Sequence, residues 1–147
     1  MPYFEELPPG SLYESPPRVV READVQAFAE LSGDRGAIHL DDAAARAAGF
    51  DGRIAHGALG ISIATGLVSA LGITKESLIA LIEISWRFVA PIAIGDTVRA
   101  VVRVAERRET SRADRGVVTF DIELVNGAGG VVQRGRFVEL VRRRPAA

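Results

Sequence analysis

Both histidines of the chain, His39 and His56, fall in one short stretch of sequence, and Asp34 lies five positions before the first of them. A carboxylate and an imidazole that reach the same water molecule can divide proton transfer between them. The spacing Asp-x4-His is also compatible with a structural role, in which Asp34 caps a turn after Gly33 and His39 fills a polar gap. The pattern therefore indicates either a catalytic pair or a structural one.

The second histidine lies where the chain enters a long apolar segment, residues 57–71, which we predict to be a buried helix. The first N–H groups of a helix have no intrahelical partner and carry the positive end of its dipole. Because Gly57 has no side chain, a ligand oxygen can approach its N–H closely, as in an oxyanion hole. Tight helix packing also explains Gly57, and a hydrogen-bonded core position also explains His56.

Asp34, His39 and His56 are residue types that bind metal ions, so a metal site built from them is conceivable. The usual signatures of a bound cofactor or metal are missing from the sequence. It has no Gly-x-Gly-x-x-Gly after a predicted strand, no phosphate-binding loop and no His-Glu-x-x-His sequence. We therefore predict that the protein uses no metal and no cofactor.

Two short helices are predicted on either side of the segment that carries Asp34 and His39. Residues 21–33 show helical spacing of apolar side chains and end in glycine, which often terminates helices. Residues 40–49 are rich in alanine and begin with aspartates that can cap a helix. This pattern predicts that Asp34 and His39 share a loop between two helices.

The rest of the chain favours a sheet that surrounds the third helix. Residues 57–71 are apolar nearly all the way round, so other elements have to enclose them. Residues 81–91 and 96–110 alternate between apolar and polar side chains, which is typical of strands. Residues 116–144 are predicted to form two further strands, joined by a glycine-rich turn at residues 126–130.

This alternation predicts an antiparallel sheet with one buried face, to which we assign Trp86 and Phe88. A curved antiparallel sheet wrapped around one central buried helix is the hotdog architecture, an α+β fold. The 147 residues are enough for one domain, which we place over residues 1–147 with its core at about 15–142. Because one sheet and one helix leave open edges, we expect a homodimer.

The composition is that of an ordinary globular protein, with 48% hydrophobic and 25% charged residues. Lysine and arginine number 18 and aspartate and glutamate 19, a net charge of −1 that gives no reason to expect a nucleic-acid or membrane partner. The absence of cysteine excludes disulfides and thiolate chemistry and fits a reducing compartment, so we expect a cytoplasmic protein. Residues 54–73 contain a histidine and four glycines, which favours a buried helix over a membrane span.

Several motifs together resemble the R-specific enoyl-CoA hydratases, also called MaoC-like dehydratases. The run "FAELSGD…IHLD…A…GF…RIAHGALGIS" carries the resemblance, and "WRFVAPIAIGDTVRAVVRVAERRE" continues it, over about residues 15–142. The resemblance implies a hotdog fold and the reversible syn addition of water across a trans-2-enoyl thioester. It also implies an acyl-CoA substrate, in which coenzyme A is part of the substrate and not a cofactor.

Carried over to matching positions, the resemblance implies that Asp34 and His39 bind and activate the water and that Gly57 supplies the oxyanion N–H. Thr65 matches a small hydroxyl residue that lies near the catalytic aspartate in relatives, and Ser62 is a competing candidate for that place. The expected substrate-contacting residues are His56, Ser62 and Thr65.

The chain departs from the family at Gly36-Ala37, where relatives usually have Asn-Pro. Without proline the loop is less constrained, which favours the alternative of a catalytically silent acyl-thioester-binding subunit. Retention of both Asp34 and His39 opposes that alternative. A thioesterase of the same fold typically uses an acid on the central helix, and residues 57–72 contain no aspartate or glutamate.

Overall fold

The computed structural model describes residues 2–147, which form one long antiparallel sheet packed against a central helix. The helices are α1 (Glu22–Ser32), α2 (Ala37–Leu40), α3 (Asp42–Ala47) and α4 (Gly57–Ala70), and a 3-10 helix spans Phe4–Glu6. The strands are β1 (Leu12–Glu14), β2 (Arg18–Val19), β3 (Leu78–Phe88), β4 (Thr97–Glu109), β5 (Arg115–Asn126) and β6 (Val131–Arg142).

The sheet is open and has the order β1-β4-β5-β6-β3, with β2 paired to the other end of β4. All pairs are antiparallel, as the alternation predicted. On β4 the inward side chains Val98, Ala100, Val102 and Val104 are at most 1% exposed, which confirms the assignment of residues 96–110. The glycine-rich turn is also confirmed, because Asn126 Oδ1 accepts hydrogen bonds from the backbone N–H groups of Ala128 and Gly130.

Helix α4 packs its larger side chains against the sheet and leaves the opposite side open. Leu59, Ile63 and Leu67 are buried, whereas Ala58 and Ser62 are exposed. The prediction that this helix is enclosed on every side was therefore wrong for the single chain. Its exposed residues are small or carry a hydroxyl, so they present little apolar surface that must be covered.

Strand β3 differs most from its prediction, because Ile82, Ile84 and Phe88 are 52%, 40% and 57% exposed. The strand pairs with β6 alone, and two irregularities shift its register before Ile84. Phe88 was wrongly assigned to the core: it pairs in regular register but is exposed at the uncovered edge of the sheet. Trp86 is half-buried and stacks on Phe137 with ring centroids 5.5 Å apart.

The helices before α4 also differ in detail from their predicted bounds. The region predicted as a single helix over residues 40–49 is shorter, because Asp41 leaves the helical conformation and caps α3 by accepting a hydrogen bond from Ala43 N. His39 lies in the short helix α2 and not in a loop. The predicted end of α1 is confirmed, since Gly33 has φ 77° in the left-handed region.

The core reaches further toward the N-terminus than residue 15. Leu7 is fully buried, and the ring of Phe4 is 5% exposed and fills the space beside Gly116. Arg143 forms ion pairs with Glu5 and with Glu109, so the two chain ends lie together. Within residues 2–147, no helix has both the length and the apolar character needed to cross a membrane.

The pairing of β3 with β6 depends on Gly135, which lies opposite Trp86. An added methyl group would overlap the carbonyl oxygen of Ser85 and lie 2.5 Å from Trp86 Cε3. We expect Gly135→Ala to lower the free energy of unfolding by roughly 2–3 kcal/mol, because backbone atoms must move to accommodate it. Urea unfolding measures the change.

Gly127 provides the matched control, because an added methyl group there meets no atom within 4 Å. Gly127→Ala is expected to change the free energy of unfolding by less than about 0.5 kcal/mol. Equal stabilities for the two variants would contradict the close approach of β3 to β6 at Gly135.

Candidate active site

Three chemically active side chains converge beside the N-terminus of helix α4. One carboxylate oxygen of Asp34 and one ring nitrogen each of His39 and His56 lie within 4.8 Å of one another. Asp34 is exposed, whereas His39 is 9% and His56 2% exposed. The structure thus brings together the predicted pair and adds the second histidine to it.

The connection between α1 and α2 fixes the carboxylate of Asp34. After Gly33 ends α1, the Asp34 N–H donates to Ser32 Oγ at 3.1 Å. The carboxylate oxygen Asp34 Oδ1 then accepts from the Gly36 N–H, also at 3.1 Å. In this Asx-turn the side chain of Asp34 bonds to the backbone two residues further on, which holds the carboxylate toward α2 although the loop has no proline.

His39 is oriented by a backbone carbonyl. Its Nδ1 lies 2.7 Å from the carbonyl oxygen of Ile54, and because a carbonyl only accepts, Nδ1 carries the hydrogen. That bond leaves Nε2 free to accept a hydrogen bond. A methyl group placed on Gly36 would lie 3.3 Å from Asp34 Oδ1 and 3.7 Å from His39 Nε2, so both groups border the same point in space.

The Asp34 carboxylate and a ring nitrogen of His39 lie within 4.8 Å of each other, a separation that one water molecule can bridge. Hydrogen bonds of about 2.8 Å on each side of a water span a separation close to the observed upper limit of 4.8 Å. Gly36, the residue that departs from the family pattern, leaves this space open because it has no side chain. Asp34 and His39 can therefore hold a common water.

His56 supports this arrangement from behind. Its Nε2 donates to the backbone carbonyl of Asp34 at 2.8 Å, and its ring stacks on His39 with centroids 3.9 Å apart. Phe28 covers it, with ring centroids 4.8 Å apart. Its Nδ1 is buried and has no hydrogen-bond partner within residues 2–147. Such a buried ring positions Asp34 and His39 and offers a substrate little surface.

The same geometry does not favour a metal ion. The lone pairs of an imidazole lie in the plane of its ring, and the planes of His39 and His56 are only 26° apart in a face-to-face stack. His39 Nδ1 and His56 Nε2 are both engaged with backbone carbonyls. The remaining nitrogens, His39 Nε2 and His56 Nδ1, have their lone pairs in two nearly parallel stacked planes, an arrangement that does not favour a shared ion.

Gly57 is the first residue of α4, and His56 is its N-cap residue. The Gly57 N–H therefore has no partner within the helix and remains available to an oxygen atom. The Gly57 carbonyl accepts a hydrogen bond from Gln133 Nε2 at 3.2 Å. A methyl group on Gly57 would lie 2.8 Å from Phe88 Cε1, so both close packing and ligand approach need glycine here.

Ser62 and Thr65 lie further along α4, away from the cluster. Ser62 is exposed and its hydroxyl donates to the Ala58 carbonyl at 2.9 Å. Thr65 donates to the Ser62 carbonyl at 2.6 Å and lines a cavity together with Glu139. Within the part of the chain that the structure describes, no hydrogen bond joins either hydroxyl to Asp34.

The site also contains residues that sequence reasoning missed. Gln133 connects the sheet to the site. Its Oε1 accepts a hydrogen bond from Trp86 Nε1 at 2.9 Å, and its Nε2 donates to the Gly57 carbonyl. Phe28 covers His56 from α1. Gln133 lies four residues before Phe137 on the same strand, so the alternation could have indicated that both side chains face inward. A glutamine at an inward position breaks the apolar pattern, however.

The comparisons with known proteins agree with this geometry. Residues 4–126 match the family described as a MaoC like domain. A 3-hydroxybutyryl-CoA dehydratase from Methylorubrum extorquens is 41% identical over 122 residues, 82% of this chain and 74% of that protein. An (R)-specific enoyl-CoA hydratase from Aeromonas caviae is 33% identical over 116 residues, covering 79% and 82%.

Solved structures of relatives superpose closely. The MaoC-like dehydratase from Rhodospirillum rubrum has a TM-score of 0.89 at 29% identity, over 99% of this chain and 100% of that one. A Mycobacterium tuberculosis protein with a double hotdog fold has a TM-score of 0.88 at 22% identity, over 99% of this chain and 46% of that one. The predicted hotdog fold is thereby confirmed.

This chain belongs to the family of MaoC-like dehydratase domains. Some relatives are considerably longer. Protein MaoC from Klebsiella aerogenes is 38% identical over 113 residues, and this chain spans 33% of its length.

The hydrogen bond from His56 to the Asp34 carbonyl can be tested by its contribution to stability. His56→Phe keeps a ring against His39 but leaves the carbonyl without a donor, which is expected to lower the free energy of unfolding by about 1–3 kcal/mol. His56→Gln retains an N–H donor and should lose less. Urea unfolding of both variants checks the difference, and a glutamine variant as unstable as the phenylalanine variant would contradict the role of this bond.

Proposed function

We propose that the protein is an enoyl-CoA hydratase that reversibly adds water across a trans-2-enoyl thioester to give an (R)-3-hydroxyacyl thioester. The observation that carries this proposal is the pairing of Asp34 Oδ1 with the free Nε2 of His39 around one point, beside the N-terminus of α4. The names of the relatives, a 3-hydroxybutyryl-CoA dehydratase and (R)-specific enoyl-CoA hydratases, support the same reaction.

In this proposal the thioester carbonyl oxygen accepts a hydrogen bond from the Gly57 N–H. The positive end of the α4 dipole lies at the same place and stabilises negative charge that develops on the oxygen. Polarisation of the carbonyl withdraws electrons from the conjugated double bond. The β-carbon thereby becomes electrophilic, and an enolate formed at the α-carbon and the carbonyl oxygen is stabilised.

Water held by Asp34 and His39 attacks that β-carbon. As its oxygen bonds to the β-carbon, one water proton passes to the acid–base pair and the π electrons move toward the α-carbon and the carbonyl. A proton from the same pair is then delivered to the α-carbon on the same face, so that one water is added in total. The neighbouring positions of Asp34 and His39 explain why both steps take place on one side of the double bond.

The proposal is tested with crotonyl-CoA and longer or branched enoyl-CoAs, by following the loss of enoyl-thioester absorbance and the release of free thiol in parallel. Asp34→Asn and His39→Gln preserve shape but remove proton transfer, so we expect each to lower kcat by about 100-fold or more. Asp121→Asn is the control, because Asp121 forms a surface ion pair with Arg136 and has no place in the site.

Loss of absorbance without thiol release, abolished in both site variants and retained in Asp121→Asn, is the result expected of a hydratase. Thiol release would instead identify a thioesterase. A folded protein that consumes no enoyl-CoA of the series would favour an acyl-thioester-binding subunit without activity.

We further propose that the chain forms a homodimer through strand β3. This edge strand presents apolar side chains to the solvent, at 40–57% exposure: Leu78, Leu81, Ile82, Ile84 and Phe88. Edge strands with free backbone groups and an apolar face are suited to pairing with another strand. A second copy supplies an identical strand around a two-fold axis. Because Phe88 packs on Gly57, the interface adjoins the site.

A charge on this surface is expected to separate the subunits. Ile84→Lys should raise the dissociation constant of the dimer at least about tenfold, because the ammonium group loses its hydration when β3 is covered. Leu31→Lys is the matched control, since Leu31 is 86% exposed on α1. Sedimentation velocity measures the state of association, and a wild-type monomer or an unaffected Ile84→Lys dimer would contradict the proposal.

A further inference from the structure

A cavity of about 190 Å³ lies between the second half of α4, the turn that follows it, and strands β3 and β6. Val68, Leu81 and Phe137 form the apolar part of its wall. Thr65, Thr74 and Glu139 also line it. A buried carboxyl group in such a wall is unusual, because an unpaired charge is costly to bury.

Glu139 is 5% exposed, and Thr74 is 8% exposed. The hydroxyl of Thr74 donates to Glu139 Oε2 at 3.0 Å, and within residues 2–147 no other side chain bonds to this carboxyl group. Burial raises the pKa of Glu139, and the hydrogen bond from Thr74 lowers it by less. Thr74 occupies only Oε2, so the other carboxyl oxygen, Oε1, can form a hydrogen bond with a ligand in the cavity.

The candidate active site and this cavity lie along one face of α4. Gly57, Ile61 and Thr65 are spaced four residues apart and therefore share this face, about 12 Å long at a rise of about 1.5 Å per residue. Strand β3 runs beside it, with Phe88 packed on Gly57 at one end and Leu81 in the cavity wall at the other. A medium-length acyl chain that lies along this face has the length needed to reach from a thioester carbonyl at Gly57 to the cavity.

Resting on the proposed function, we propose that the cavity receives the distal end of the acyl chain and that Glu139 selects chains with an oxygen atom there. Held by Thr74, the carboxyl group of Glu139 forms a hydrogen bond with a hydroxyl group at the far end of the substrate. The preferred substrates are then medium-chain enoyl thioesters with an uncharged hydroxyl group at the far end. An alkyl chain of the same length leaves this carboxyl group to a trapped water molecule, for which the cavity has room.

The test compares trans-2-octenoyl-CoA and trans-2-decenoyl-CoA with their terminally hydroxylated counterparts, using the wild-type protein. We expect kcat/KM to be at least about tenfold higher for a hydroxylated substrate, because one more buried polar group is paired. Glu139→Leu removes this polar group and should bring the ratio close to one. Glu139→Gln retains a hydrogen-bonding side chain and should keep part of the preference.

Controls separate recognition from folding. The ratio compares two substrates on one preparation, so a loss of active protein cancels. Thr74→Val/Glu139→Leu removes both polar partners together, which destabilises a buried site less than leaving one unpaired. Glu123→Leu introduces the same change on β5, where the side chain is half-buried and does not line this cavity, and should leave the ratio unchanged.

The outcomes distinguish this inference from the function on which it rests. Hydration of plain and hydroxylated chains at equal rates would overturn the role of Glu139 and leave the hydratase proposal standing. A ratio that survives Glu139→Leu would have the same effect. A terminal carboxylate preferred over the hydroxyl would show recognition through the nearby Lys75 and overturn the selection of an uncharged group by Glu139. Hydration of none of these substrates would overturn the proposed function itself.

Discussion

The candidate site depends on two hydrogen bonds that imidazole rings donate to backbone carbonyls. His39 donates to Ile54, and His56 donates to Asp34, so each histidine binds the segment from which the other comes. The two rings stack on each other between these bonds. Because both rings are buried, loss of either bond would leave a carbonyl without a partner. This reciprocal arrangement fixes the Asp34–His39 geometry in a loop that has no proline.

The sheet fixes the other half of the site through one side chain. Gln133 accepts from Trp86 Nε1 and donates to the Gly57 carbonyl, so β3, β6 and the start of α4 are joined at one amide. Gly60 has no side chain where the Gln133 amide passes, and an added methyl group would overlap it. The N-terminus of α4 is thereby held in place, and the free N–H of Gly57 has a fixed direction in which to meet a substrate.

The features that the sequence predicted correctly are those that depend on short segments of the chain. The alternation on β4, the end of α1 at Gly33 and the turn at residues 126–130 are properties of short segments, and all three are confirmed. Asp34 and His39 are only five positions apart in the chain, so their closeness in space could also be predicted. The exposure of Phe88 could not be predicted from the alternation, because Phe88 lies opposite the buried Gln133 in regular register and is exposed since no second strand covers β3 within residues 2–147. Glu139 points inward because of the way β6 pairs with its neighbours. A charged residue in a strand predicts an outward position, so the sequence alone could not predict this one.

Strand β3 runs beside the face of α4 that extends from Gly57 to the cavity, and it is also the apolar edge that a second copy would cover. A covered edge would exclude water from this face and lower the local dielectric, which strengthens hydrogen bonds made by the Gly57 N–H and by Glu139. Both groups would then act on a substrate along the same sheltered face, one at the reacting carbonyl and one at the far end of the chain. Association and substrate recognition are therefore expected to be coupled, because they share Leu81 and Phe88.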